Sequence, residues 1–290
     1  NRDSAIDSPD DEKAFYWLKL AAEQGHCEAQ YSLGRKYSED KSRHKDNEQA
    51  IFWLKKAALQ GHTFASNALG WTLDRGEAPN YKEAVVWYQI AAESGMSYAQ
   101  NNLGWMYRNG NGVAKDYALA FFWYKQAALQ GHSDAQNNLA DLYEDGKGVA
   151  QNKTLAAFWY LKSAQQGNRH AQFQIAWDYN AGEGVDQDYK QAMYWYLKAA
   201  AQGSVGAYVN IGYMYKHGQG VEKDYQAAFE WFTKAAECND ATAWYNLAIM
   251  YHYGEGRPVD LRQALDLYRK VQSSGTRDVS QEIRETEDLL

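Results

Sequence analysis

The sequence of 290 residues has little cysteine and little proline, with two and three residues respectively. Two cysteines, Cys27 and Cys238, are too few for a disulfide framework or a cysteine zinc site. Scarce proline, together with abundant alanine, leucine, lysine and glutamine, favours helix over sheet. No apolar run approaches the roughly 18 residues that suggest a membrane span, so we expect no membrane insertion.

Basic residues are also in deficit, with 30 Lys and Arg against 37 Asp and Glu and a net charge of −7. Nucleic-acid binding in general relies on Lys and Arg to displace counterions from phosphates, so we predict no nucleic-acid partner. The chain has no H-E-x-x-H zinc motif, no G-x-S-x-G elbow and no C-x-x-C pair. We therefore expect no catalysis, no metal and no cofactor.

What the chain has in excess is aromatic residues, 15% of the total, and they are periodic. One tryptophan ladder has spacings of 36 residues apart from a single 34, and an alanine lies three residues before each member: Trp17, Trp53, Trp87, Trp123, Trp159, Trp195, Trp231. A second ladder begins with alanine in stretches such as "AQNNLG" (99–104) and "AYVNIG" (207–212). Periods of this length are typical of stacked repeats.

The segment "GNGVAKDY" (110–117) poses a separate question, because a glycine-rich turn before a helix can cradle a phosphate. A dinucleotide site needs one such loop after a strand. Here the paired glycines recur in four later repeats, which favours a structural turn in which glycine permits positive φ. The acidic residue that follows each loop is predicted to cap the next helix: Asp116, Asp188, Asp224, Asp260.

Each repeat is predicted to contain two helices, as in 98–109 and 117–130 of the third repeat. Small residues such as Gly104 and Ala120 would let helices approach closely, and Trp and Tyr would fill the volume between pairs. A single pair cannot bury its apolar face alone, so the pairs should stack into one elongated core.

The pattern A-x-x-x-L-G-x-x-Y-x-x-G-x-G-V-x-x-D-Y-x-x-A-x-x-W-Y-x-K-A-A-x-x-G resembles the Sel-one-like repeat, a relative of the tetratricopeptide repeat; residues 98–131 and 206–237 match it almost completely. The resemblance implies an all-α, right-handed α/α superhelical solenoid that acts as an adaptor, in bacteria and eukaryotes alike. We expect one domain over 1–290, with a partial repeat (1–26), seven full repeats (27–275) and a C-terminal capping helix (276–290) whose Val279 and Ile283 face the core.

Some secreted members of this family carry a disulfide in each repeat, and that pattern is missing here. The resemblance therefore points to a reducing compartment, and we expect a cytoplasmic monomer. The polar, acidic start is not a signal peptide, although a start at Asn1 rather than Met leaves room for an export signal upstream.

The candidate binding surface follows from helical geometry. On the first helix of each repeat, offsets 2, 3 and 6 from the ladder alanine point away from the packing arc. Trp and Tyr offer rigid contact area, and Asn can pair with peptide groups. The candidate residues for a concave groove that binds a protein or peptide are Arg35, Trp71, Asn102, Trp105, Asn138, Trp177, Asn210, Tyr213, Tyr245 and Asn246. The alternative is that these amides bond to neighbouring backbone and the tryptophans fill the groove.

The sequence therefore predicts a non-catalytic interaction scaffold. Two alternatives stay open at this point. One is a dedicated inhibitor or immunity-type protein that clamps a single toxin or effector, and the other is a hydrolase that acts on a bound polymer. One stoichiometric partner would favour the first, and activity abolished by a single carboxylate substitution would favour the second.

Overall fold

A computed structural model describes residues 9–39, 42, 44–76 and 78–290, with side chains from Glu12 onward. Within these residues every regular element is a helix and there is no strand, so the prediction of an all-α repeat fold is confirmed. Residues 1–8 of the predicted partial repeat, and part of the irregular segment 38–46, lie outside the described residues.

The chain divides into two compact units, which meet in sequence at Gln151 and Asn152; the single domain over 1–290 stays a prediction. Unit 1 contains α1 (Pro9–Glu23), α2 (Cys27–Ser38), α3 (Asn47–Leu59), α4 (Thr63–Arg75), α5 (Tyr81–Glu93), α6 (Ser97–Asn109), α7 (Tyr117–Leu129) and α8 (Ser133–Asp145). Unit 2 contains α9 (Lys153–Gln165), α10 (Arg169–Ala181), α11 (Tyr189–Ala201), α12 (Val205–His217), α13 (Tyr225–Glu237), α14 (Ala241–Tyr253), α15 (Leu261–Ser274) and α16 (Ser280–Asp288).

Within each unit the helices pack in the order of the chain. In unit 1, α4 packs against α5 of its own repeat and against α3 of the repeat before, and α6 does the same with α7 and α5. In unit 2, α12 packs in this way against α13 and α11. We call the even-numbered helices from α2 onward the first helices and the odd-numbered ones the second helices. Each of these three first helices is therefore held between two second helices, as in other stacked repeats.

The core of a pair contains a large side chain of the second helix over a small residue of the first, and in two pairs of unit 1 the large side chain is a tyrosine. Tyr88 and Tyr124 of the second helices are fully buried. A Cβ added to Gly70 would lie 2.8 Å from the ring of Tyr88, and one added to Gly104 would lie 2.7 Å from the ring of Tyr124. Gly104 is therefore small because an aromatic ring occupies the adjacent space, rather than because two helix backbones meet there. Removing such a ring would leave a cavity at a cost of about 3–5 kcal/mol.

Buried glutamines join successive repeats. Gln100 Nε2 on α6 donates to the carbonyl of Ala92, which lies in the last turn of α5, at 3.1 Å. Gln100 Oε1 accepts from Nε2 of Gln130, which follows α7, at 2.8 Å. The same bonds recur at Gln30 and Gln172. The carbonyl of Ala92 also accepts from the N–H of Gly95 at 3.0 Å, so the glutamine adds a second hydrogen bond to the end of α5. The buried amide of the glutamine is satisfied by these bonds, which fix the register of neighbouring pairs.

The glycine loop is a structural turn. Gly110 ends α6 in the left-handed region, with φ of +76°, and its N–H donates to the carbonyl of Met106 at 2.9 Å. Asp116 is the N-cap residue of α7, and its Oδ1 accepts from the N–H groups of Ala118 and Leu119 at 2.8 and 2.9 Å. Asp188, Asp224 and Asp260 cap their helices in the same way, so the capping prediction is confirmed.

The outermost helices of the two units differ in what they bury. In unit 2, Val279 just before α16 is fully buried, and Ile283 packs against the same cluster as Tyr268. In unit 1, Phe15 of α1 stacks on the ring of His44 with centroids 3.9 Å apart. Trp17 of the same helix is 65% exposed, in contrast to the buried Trp53, Trp87 and Trp195 at the equivalent position of later repeats.

Gly112 provides a test of the loop packing. It has φ of +72°, and a Cβ there would clash with the backbone carbonyl of Tyr81 in the preceding repeat. Gly131 has φ of +88° with nothing within 4 Å of its added Cβ. Both alanine substitutions cost about 1–2 kcal/mol from the backbone alone. Gly112→Ala should lower the free energy of unfolding by a further 1–3 kcal/mol or so, because the site is overpacked.

Urea denaturation of the two single variants measures this difference, with Gly131→Ala as the matched control for positive φ. Equal destabilisation by the two substitutions would show that the contact between the loop and Tyr81 contributes nothing.

Candidate functional site

A groove crosses the first helices of unit 1. One part has a volume of about 460 Å³ and lies across α4, α6 and the start of α8. A neighbouring part of about 450 Å³ lies across α2 and α4 and shares Asn67, Trp71 and Tyr98 with the first. We call the two parts together the unit 1 groove. It places side chains from four successive repeats on one surface.

Three predicted residues line this groove with the expected exposure. Trp71 is 45% exposed and Trp105 is 42% exposed, so neither is buried as packing between helices. Arg35 lies in the neighbouring part of the groove, where its Nη2 donates to Oε1 of Glu39 at 3.1 Å. The two indole side chains project from equivalent positions of α4 and α6, one repeat apart.

The predicted amides are partly engaged with one another. Asn102 Nδ2 donates to Oδ1 of Asn67 at 3.2 Å, and Asn138 Nδ2 donates to Oδ1 of Asn101 at 3.0 Å. Each bond joins the first helices of adjacent repeats. Asn67 and Asn101 use their carbonyl oxygens in these bonds, so their NH₂ groups are not consumed by them. The alternative expected from the sequence is bonding of the amides to neighbouring backbone. These two bonds instead join side chains, and Trp71 and Trp105 stay exposed.

A charged cluster lies beside Trp71. The guanidinium carbon of Arg75 lies 3.5 Å from the centroid of the Trp71 ring, which is cation–π stacking. Asp74 Oδ2 accepts a hydrogen bond from the hydroxyl of the buried Tyr88 at 2.8 Å. Burial raises the pKa of Asp74, although the Tyr88 hydroxyl and Arg75 oppose this effect. The hydrogen bond from the buried Tyr88 thus fixes the position of the Asp74 carboxyl.

Sequence reasoning missed several lining residues, namely Asp74, Arg75, Tyr98, His132 and Asp134. Tyr98 precedes the ladder alanine by one residue, and Arg75 follows its ladder alanine by ten. Offsets −1, 3, 6 and 10 are three or four residues apart and form one stripe on a helix. Extending the periodicity by one turn in each direction would have found both residues.

In unit 2 the predicted residues are less closely grouped. Trp177 on α10 is 44% exposed. Tyr213 on α12 is partly buried, stacks on His217 with centroids 6.1 Å apart and meets the buried Phe232 edge-on. Asn210 Nδ2 donates to the carbonyl of Gly206 one turn earlier, at 2.9 Å.

Two predicted residues of unit 2 serve the packing instead. Asn246 is only 2% exposed, and its Nδ2 donates to the carbonyl of Thr242 at 2.8 Å and to the hydroxyl of Tyr213 at 3.1 Å. Tyr245 is partly covered: its hydroxyl donates to Glu282 at 3.3 Å, and Arg277 lies over its ring. The placement of Asn246 on an open binding surface is therefore wrong, because its amide is bonded within α14 and to Tyr213 of α12.

In the part of the chain that the structure describes, no group of three or more His, Cys, Asp or Glu side chains is placed to hold a metal ion. No helix in the described ranges combines the length and apolarity needed to cross a bilayer. Cys27 and Cys238 are both free thiols.

The geometry defines the class of protein as a repeat of α-helix pairs with an open, amide- and tryptophan-lined surface on the first helices. The comparison with known families agrees with this class. The Sel1 repeat family matches residues 7–26, 27–62, 63–96, 97–132, 133–168, 169–204, 205–240 and 241–270. The chain belongs to the Sel1 repeat family, whose members are generally protein-interaction scaffolds and typically not enzymes.

Individual relatives are bacterial. The chain is 99% identical over 116 residues to Sel1-repeat-containing protein YbeQ of Escherichia coli strain K12, which covers 40% of this chain and 36% of the relative. The structure of c5321, a protective antigen present in uropathogenic Escherichia coli strains, is 36% identical with a TM-score of 0.84, covering 90% of this chain and 56% of that one. A Sel1 repeat protein from Oxalobacter formigenes is 33% identical with a TM-score of 0.68, covering 74% of this chain and 86% of its own.

This chain therefore spans only about a third of the curated relative's length and about half of the antigen's, as the coverage of 36% and 56% shows.

His132 at the edge of the groove generates a pH prediction. Its Nδ1 accepts from the N–H of Ala135 at 3.3 Å and caps α8, which requires an unprotonated nitrogen. Burial lowers the pKa of His132, and the nearby Asp134 opposes this without overcoming it. The unfolded chain then binds more protons near and below the ordinary histidine pKa of about 6.5, so this contribution to stability is present above that pH and is lost as the pH falls below it.

Asn168 holds the equivalent position in the next repeat and caps α10 through Oδ1, at 3.0 Å from the N–H of Ala171. His132→Asn should keep the cap and remove the titrating group. The loss of unfolding free energy between about pH 7.5 and about pH 5.5 should be smaller in the variant than in the parent chain. Urea denaturation at both pH values measures it, and an identical loss in the two proteins would contradict the assignment.

Proposed function

We propose that the chain is a non-catalytic scaffold that binds an extended peptide or a protein loop of its partner in the unit 1 groove. The observation that carries this proposal is the pair of exposed tryptophans, Trp71 and Trp105. They lie one repeat apart in the part of the groove that has a volume of about 460 Å³. Exposed apolar side chains that are grouped in one groove with polar residues around them are typical of an interaction site. Tryptophan is also the residue most enriched in binding hot spots.

The polar groups between the tryptophans suit a peptide backbone. Asn67 and Asn101 lie in the same groove, and each accepts a hydrogen bond from the next repeat through Oδ1. These bonds orient the amides, and their NH₂ groups can donate to peptide carbonyls. An extended chain presents such carbonyls at regular intervals of about 3.3 Å per residue. The groove thus combines hydrophobic anchors with donors on ordered helices, which lowers the entropy cost of binding.

The proposal is tested with peptides selected from a random displayed library against the full chain. Affinities of the selected peptides are then measured by fluorescence anisotropy with the parent chain and with Trp71→Ala/Trp105→Ala. Truncation of a hot-spot tryptophan typically costs about 2 kcal/mol or more, so the double variant should raise the Kd by roughly 30-fold or more.

The matched control is Phe52→Ala/Phe122→Ala. Phe52 and Phe122 are each 47% exposed, and they lie on the second helices α3 and α7, away from the groove. This control should leave the Kd unchanged. Circular dichroism confirms folding of both variants. Selected peptides that bind both double variants as tightly as the parent would remove the groove from the function.

A further inference from the structure

We propose that the unit 1 groove recognises an arginine side chain of its partner, whose guanidinium lies between Trp71 and Asp74 in the place that Arg75 now occupies. The proposal rests on the proposed function and adds the chemistry of the recognised residue. Three features carry it: an incompletely satisfied buried carboxylate, an aromatic face that already holds a guanidinium, and the charge of the lining residues.

The first feature is Asp74. Its side chain is only 9% exposed, and it lines the groove. Oδ2 is satisfied by Tyr88, but among the described residues Oδ1 is buried and accepts no hydrogen bond. The Nε of Arg75 lies 3.8 Å from Oδ1, beyond hydrogen-bonding distance. A buried carboxylate oxygen without a donor is unfavourable, and a charge-assisted hydrogen bond from a ligand would relieve it.

The second feature is the face of Trp71. A guanidinium stacks there at 3.5 Å, so the geometry accepts this planar cation. The cation is Arg75 of the same helix, whose side chain is 62% exposed. Its contact with Asp74 is too long for a hydrogen bond and most of its side chain is already in solvent, so the Arg75 side chain can move away at low cost. Arg75 therefore occupies the face of Trp71 in the free protein and competes with the guanidinium of a partner for it.

The third feature is charge. The ionisable groups that face this part of the groove are Asp74, Arg75, His132 and Asp134. Burial lowers the pKa of His132, which favours its neutral form. Once Arg75 moves away, the two aspartates dominate, and an acidic side chain placed between them would be repelled. An arginine satisfies the Asp74 carboxylate and the Trp71 ring together, which a lysine ammonium does less well because it lacks the planar fork.

The test uses three short capped peptides with alanine on both sides of arginine, citrulline or glutamate. Citrulline keeps the planar shape of arginine and removes its charge. Binding to the full chain is followed through the indole N–H resonances of Trp71 and Trp105, which are assigned with Trp71→Phe and Trp105→Phe. The arginine peptide should shift the Trp71 resonance and bind about tenfold or more tightly than the citrulline peptide, in line with the strength of charge-assisted hydrogen bonds.

Two substitutions should act in opposite directions. Asp74→Asn keeps an acceptor for Tyr88 and removes the charge, so the arginine peptide should bind about tenfold more weakly. Arg75→Gln removes the internal competitor, so the same peptide should bind more tightly. Asp145→Asn is the control for charge, because Asp145 is exposed and does not line the groove. If Asp74→Asn does not fold, the citrulline comparison and Arg75→Gln still decide the question.

The outcomes distinguish failure of the arginine site from failure of the proposed peptide binding in the unit 1 groove. Equal binding of the arginine and citrulline peptides, together with no gain in Arg75→Gln, would overturn the arginine site. A glutamate peptide that binds best and weakens in Arg75→Gln would overturn it as well, because Arg75 would then be the ligand-binding residue. In either case the groove itself would stand if the library-selected peptides still lost affinity in Trp71→Ala/Trp105→Ala.

Discussion

The structure depends on the contact between a large buried side chain of the second helix and a small residue of the first helix. Tyr88 over Gly70 and Tyr124 over Gly104 are the clearest examples, since a single added Cβ would lie well inside the van der Waals distance of the ring. The contact fixes how closely the two helices of a pair approach. It also directs one face of the first helix into the core, and the opposite stripe is then available for other contacts.

Hydrogen bonds extend this order from one repeat to the next. The core contact acts within a pair. The bonds of Gln100 instead reach Ala92 at the end of the preceding second helix, α5, and Gln130 directly after the following second helix, α7. The Asn67–Asn102 and Asn101–Asn138 bonds add a second line on the groove side. Buried and half-buried polar networks of this kind specify register, because a slip of one residue would leave several groups unsatisfied. The groove residues are consequently held on ordered helices.

The same support reaches the charged cluster of the groove. Tyr88 packs over Gly70 and its hydroxyl donates to Asp74, so one core side chain both sets the helix spacing and positions a groove carboxylate. Trp71 and Arg75 lie one turn apart on the same helix and stack over each other. The chemistry of the groove is therefore coupled to the packing of α4 on α5. Recognition at this surface and stability of the repeat share residues.

The sequence by itself determined the helix pairs, their period, their caps and the exposed stripe of the first helices. These are local properties: alanine spacing, a left-handed glycine and a capping aspartate act within a few residues. Trp71, Trp105 and Trp177 were placed correctly as exposed for this reason.

Only the tertiary structure decided which members of the stripe are open. Asn246 is buried and donates to Tyr213 of α12, one repeat earlier. Asn102 likewise pairs with Asn67 of the preceding repeat. Asp74 and His132 join the groove through contacts between different helices, which a pattern within one helix does not contain.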